Sequence, residues 1–185
     1  EIIETLSAAG APVDVWGVGT RLATGGSDSA FSGVYKLASV ERNGRMESAM
    51  KFSDNPDKST EPGVKEVYRL YDESGQARAD VLAAEGETLE PGREQMFHHP
   101  SLDTRRFRMR PCGEIRPLLS KVMEAGRLSA PPPFLAEVRT HRATELERCG
   151  PTYRRLLNQH VYKVSITQAV RDLKASLRER YRPGL

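Results

Sequence analysis

The chain has 185 residues, 38% of them hydrophobic and 29% charged, a balance that builds a globular core and excludes a disordered polymer. No apolar run approaches the roughly 18 residues that span a bilayer, and residues 1–20 lack a basic-then-apolar targeting pattern. A net charge of +3 spread over the whole length falls short of the concentrated basic face of a nucleic-acid binder, so neither nucleic acid nor membrane is expected as a partner.

The opening residues 1–26 read as a helix, a turn, a strand and a glycine loop. Ile2, Ile3 and Leu6 share one helical face, Gly10 suits the helix end, and Pro12 stops its continuation. Val13–Trp16 is then a short buried strand, as in α/β proteins with parallel sheets. It runs into Gly17-Val18-Gly19-Thr20, where glycines let a backbone come close to an anion and the threonine hydroxyl adds a donor. An ordinary tight turn could carry the same four residues. Trp16 reads as core packing beside the loop.

Residues 27–93 change texture. Gly33–Val40 and Met46–Ser53 flank Asn43-Gly44, a strong hairpin signal, with Val34 and Lys36 on one side and Tyr35 and Leu37 on the other. Lys36 and Lys51 are expected on wet strand faces. Val64–Asp72 and the segment after Ser74-Gly75 complete an antiparallel β segment.

Residues 94–185 are expected to be mainly helical after a loop. Pro131-Pro132-Pro133 punctuates the chain before an amphipathic helix beginning near Phe134. Thr167 is placed to start a second helix with an apolar stripe of Val170, Leu173 and Leu177. Arg106, Arg108 and Arg110 alternate on one side of an extended segment and read as a solvated or interface face. His98, His99, His141, Cys112 and Cys149 match no common zinc spacing, so no metal site is assigned and His98-His99 reads as a loop or partly exposed pair. The two cysteines read as buried reduced thiols in a reducing, cytoplasmic setting.

Four blocks carry a resemblance: GAPVDVWGVGTRLATG, SGVYKLASVERNGR, MKFSDNPDKSTEPGVKEVYRL and LLNQHVYKVSITQAVRDL. In order and spacing they are similar to the carboxyl-terminal portion of nicotinate phosphoribosyltransferases, over nearly the whole chain. Trp16 stands where family members often have Phe, and Ser32-Gly33 where they often have paired glycines. The resemblance implies the last strand and phosphate loop of an irregular α/β barrel over 1–26, an antiparallel β segment over 27–93, and a helical extension over 94–185. It implies an enzyme of NAD biosynthesis that forms nicotinate mononucleotide from nicotinate and phosphoribosyl pyrophosphate, with ATP hydrolysis and Mg. In it, Gly17, Val18, Gly19 and Thr20 would hold the 5-phosphate, while the catalytic residues lie elsewhere in the polypeptide. The remainder of the same enzyme is the implied partner, in a cytoplasmic homodimer. The missing amino-terminal part would leave this portion inactive alone. The alternative is a non-catalytic binding or regulatory module that keeps the phosphate loop.

Overall fold

The computed structural model describes residues 2–26, 29, 30, 33, 35–53, 55, 58–110, 113–155 and 158–181. The chain divides into two compact units, Glu1–Tyr35 with Arg155–Gln159, and Lys36–Arg154 with His160–Leu185. Among the described residues no helix is long and apolar enough to cross a membrane.

The first unit begins with α1 (Ile2–Ala8). Its end is a Schellman closure: Gly10 N–H donates to Ser7 O at 3.0 Å and Ala11 N–H to Leu6 O at 3.0 Å, with Gly10 at φ +72°. Only glycine takes that left-handed position without a Cβ penalty, so the expected stop is physically explained. Ile2, Ile3 and Leu6 share a face as read, yet all three are exposed. Val13–Trp16 does not form the expected strand. A strand needs a neighbour to take its N–H and C=O groups, and this unit's described residues supply none; Val15 is left 83% exposed. The unit's second helix, α2 (Thr20–Thr24), follows the glycine loop.

In the second unit, β1 (Ser39–Arg42) and β2 (Arg45–Ser48) pair antiparallel. Asn43 and Gly44 turn between them with φ +52° and +73°, the consecutive left-handed pair of a tight hairpin turn. The strands are shorter than the sequence suggests. Tyr35–Leu37 and Lys51 lie outside them and are exposed, so the alternation expected there does not hold; Val34 and Ser32 lie outside the described residues.

A six-stranded mixed sheet forms the body of the unit. It comprises β3 (Lys65–Tyr71), β4 (Ala77–Ala84), β5 (Gln95–His98), β6 (Arg106–Met109), β7 (Glu114–Pro117) and β10 (Lys163–Ile166), in the order β6-β5-β10-β4-β3-β7. A separate hairpin joins β8 (Met123–Glu124) to β9 (Arg127–Leu128). β10 runs parallel to β4 and antiparallel to β5; the other neighbours are antiparallel. The expectation of a mainly helical 94–185 is therefore corrected. Among the described residues that region holds β5 to β10 as well as α3 (Leu135–Glu147), α4 (Pro151–Arg154) and α5 (Gln168–Tyr181). Strands of two to four residues are too brief to show a period of their own.

One face of the sheet buries Leu70, Ala79, Val81, Phe97 and Met109, with Phe107 and Ile115 packed against them. Phe107 and Ile115 come from β6 and β7, the two ends of the strand order, so the sheet curls around this core. α5 packs along β4 and β5. Thr167 starts it as expected: its hydroxyl accepts from Val170 N–H at 3.4 Å and donates to Glu87 Oε2 at 2.7 Å. Val170 and Leu177 are buried and Leu173 is half-buried, and Lys174 is buried among them. α3 buries no residue, so the amphipathic reading of that helix fails. Phe134 and Leu135 at its start are exposed, and Glu145 provides its attachment to the sheet.

Candidate functional site

Gly17, Val18, Gly19 and Thr20 form one contiguous, exposed stretch, with Thr20 the first residue of α2. Neither glycine has a positive φ, so the turn does not demand glycine for backbone freedom. What the glycines provide is space: a Cβ added at either position would meet nothing within 4 Å. Among the described residues, the N–H groups of Gly17, Val18 and Gly19 donate to no main-chain carbonyl. Trp16 beside them is half-buried. At the far end, Thr24 Oγ1 donates to Thr20 O at 3.0 Å and accepts from Gly26 N–H at 3.3 Å, closing the helix. Chemically this is an open row of donors that bears no cofactor-binding group of its own.

The other residues singled out from sequence fall elsewhere. Arg106 and Arg108 line the exposed side of β6, Arg110 is exposed just beyond it, and Phe107 and Met109 alternate inward, as expected. His98 departs from expectation: it is buried, out of step with Phe97, and its Nδ1 lies 3.4 Å from Arg171 Nη1 of α5. Burial pushes the imidazole below the ordinary histidine range, and the neighbouring Arg171 adds to this. His99 is half-buried, with Nδ1 accepting from the N–H groups of Ser101 and Leu102 at 3.1 Å each. Among the described residues no three His, Cys, Asp or Glu side chains converge on a metal-sized space. Cys149 is a half-buried free thiol, and Cys112 lies outside the described residues.

Two charged constellations escaped the sequence reading. On the sheet face away from the core, Arg69 grips Asp80 through two hydrogen bonds of 2.8 Å. Tyr162 Oη also donates to Asp80, at 3.0 Å. Glu145 of α3 accepts from Arg116 at 2.6 Å and Arg69 at 3.4 Å, and Arg116 also donates to Tyr71 Oη. The Arg116 hydrogen bond holds the Glu145 carboxyl below the usual glutamate range, while burial raises the Tyr162 phenol. Asp80 in the middle of ARADVLAA was the available signal. The second constellation is buried: Lys174 Nζ donates to Glu61 Oε1 at 2.5 Å and to Pro100 O at 2.8 Å, while Glu61 Oε2 has no partner. Lys174 stands four residues after Val170 and three before Leu177, on the predicted apolar stripe. Both constellations fasten segments to the sheet, and neither presents a nucleophile.

An open glycine row followed in sequence by a curled mixed sheet defines a mixed α/β protein. A family model described as "Nicotinate phosphoribosyltransferase C-terminal domain" matches residues 64–174. The nicotinate phosphoribosyltransferase of Bacillus subtilis is 30% identical over 172 residues, covering 90% of this chain and 34% of that protein. The human nicotinate phosphoribosyltransferase is 31% identical over 177 residues, covering 96% of this chain and 32% of that protein. The crystal structure of human nicotinic acid phosphoribosyltransferase shares 30% identity and a TM-score of 0.58, over 64% of this chain and 23% of that one. This chain belongs to the nicotinate phosphoribosyltransferase family, as part of its C-terminal portion. It spans about a third of the length of the curated relatives it matches. The family model covers the sheet and the first half of α5, and the glycine loop lies upstream of it.

Proposed function

We propose that this chain is part of an enzyme of NAD biosynthesis that forms nicotinate mononucleotide from nicotinate and phosphoribosyl pyrophosphate, coupled to ATP hydrolysis. In this reading Gly17, Val18, Gly19 and Thr20 hold the 5-phosphate of the ribosyl group. The supporting observation is the open space over Gly17 and Gly19, bordered by main-chain N–H groups that no carbonyl of a described residue takes. A phosphate needs several donors at close range, and such a row supplies them without a formal cation. In this reading no residue of this chain is assigned to Mg or to ATP. The loop's role is to bind and orient the phosphate end of the sugar while the base and the reacting carbon are handled by the rest of a cytoplasmic, homodimeric enzyme.

The test is made in the complete enzyme. Thr20→Val keeps the shape and removes one donor to a charged group, which costs about 1.5–3 kcal/mol. Affinity for phosphoribosyl pyrophosphate should fall roughly 10- to 150-fold. Gly19→Val should lose at least as much by filling the open space, and nicotinate affinity without the sugar should barely move. Unchanged phosphoribosyl pyrophosphate affinity in both variants, with the fold intact, returns the loop to a plain turn.

A further inference from the structure

Within the sheet unit, the segments 99–107 and 161–165 bound a cavity of about 320 Å³. Its lining includes Arg105, Arg106 and Lys163, and not one carboxylate. None of these three cations forms an ion pair with a described residue, although most other charged groups on this sheet are matched. Lys163 Nζ instead sits 4.6 Å from the centroid of the Phe107 ring, which forms part of the wall.

The backbone around the cations is braced. His99 N–H donates to Arg105 O at 3.0 Å and Arg105 N–H to Leu102 O at 2.9 Å. His99 Nδ1, already accepting two N–H groups, closes the same loop from within. Arg106 then enters β6 and Lys163 enters β10, so two of the three cations project from sheet strands. Nearby His98 is pushed below the ordinary histidine range chiefly by burial, with Arg171 and Arg106 adding to this and Gln168 and Asp172 opposing it. Three cations that line one cavity without an ion pair to a described residue suit a multivalent oxyanion better than a single carboxylate. Arginine forks suit the several oxygens of such a group.

We propose that this cavity is an oxyanion site, separate in sequence and lining from the glycine loop, that takes a phosphoryl group, either as inorganic phosphate or on a small phosphorylated molecule. Phe107 and Val164 give it an apolar wall for whatever the phosphoryl group is attached to.

The proposal does not depend on the glycine loop, and the experiment keeps the two apart. Inorganic phosphate and phenyl phosphate are titrated into the isotope-labelled 185-residue chain at constant ionic strength, and amide shifts are followed at 99–107, 161–165 and 17–20. Saturable shifts at the first two segments are expected, with affinity lowered at least about tenfold by Arg106→Gln combined with Lys163→Gln. Both substituted residues are exposed, so the fold should persist by circular dichroism. Tighter binding of phenyl phosphate identifies a phosphorylated small molecule as the ligand class, and equal binding identifies free phosphate. The absence of shifts at 99–107 and 161–165, equal shifts with chloride, or binding that survives the double substitution overturns the proposal. The Thr20→Val chain should keep these shifts, whatever becomes of those at 17–20.

Discussion

The two units treat apolar and polar groups in opposite ways. In the sheet unit, Phe97, Leu70 and Val81 are fully buried, and Arg69, Arg116, Asp80 and Glu145 satisfy one another. In the loop unit, Ile2, Ile3, Leu6, Val13 and Val15 are exposed, and the loop backbone holds donors that no carbonyl of a described residue takes. The difference teaches that the sheet unit encloses a core of its own, though Val122, Phe134, Leu135 and Val161 on it stay exposed, while none of the loop unit's described residues is buried. A region built for internal satisfaction should respond to substitution through stability, and an open loop through binding.

The largest expected effect tests internal satisfaction at its most exposed weakness. Lys174 and Glu61 are 6% and 13% exposed. Lys174→Ala leaves a buried carboxylate without its cation and should cost about 3–5 kcal/mol in denaturant unfolding. Replacing both partners, Lys174→Leu with Glu61→Leu, should recover most of that loss, because an apolar pair carries no desolvation penalty. A double variant as unstable as the single one would mean that the pair does more than balance its own charge.

A smaller effect sharpens the contrast between glycines. A Cβ at Gly113 would lie 2.8 Å from Asp72 O and 3.1 Å from Glu73 Cα, both backbone atoms, whereas a Cβ at Gly19 meets open space. Gly113→Ala should cost about 1–3 kcal/mol through forced backbone movement. Gly19→Ala should leave unfolding unchanged. Equal costs at both positions would erase the distinction between a packed unit and an open loop.

The smallest effect is in pH, and its sign follows from the sheet unit. His98, held below the ordinary range chiefly by burial, binds its proton less readily when folded than in the unfolded chain, where it titrates at about pH 6.5. Stability therefore falls as pH drops from about 6.5 toward its lowered folded value. The depressed carboxyls of Glu145, held by Arg116, and Asp72, held by the Ser74 hydroxyl, contribute stability above about pH 4.5 that is lost on further acidification. Melting temperature against pH should show both declines, and Glu145→Gln should flatten only the lower one.

How much of this was legible in the residues depends on how local its cause was. Asn43-Gly44, Gly10 and Thr167 act through their own neighbours, and each performs the role its type suggests. Val13–Trp16 has the composition of a strand, but strandhood is a property of pairs, and no described residue pairs with it. Lys174 was visible as a charge on an apolar stripe, yet its acceptor, Glu61, comes from a distant segment that no spacing announces. The glycine loop was legible as a motif, and the structure adds that neither glycine takes a positive φ and that the space beside both is open. The Arg105, Arg106 and Lys163 cluster was invisible because it assembles two segments far apart in the chain.

The position of β10 has a consequence for the order in which the sheet is made. β10 stands between β4 and β5, and through it the β6-β5 pair joins the β4-β3-β7 trio. The strands it joins are synthesised much earlier, so the nascent chain holds two separate β fragments until residues 163–166 arrive. Contacts that close so late and over such long sequence separations slow folding. The edges of β4 and β5 that β10 will cover are meanwhile open to pairing with another chain. A ribosome that stalls before Lys163 would therefore release a sheet in two halves, each with an unguarded edge.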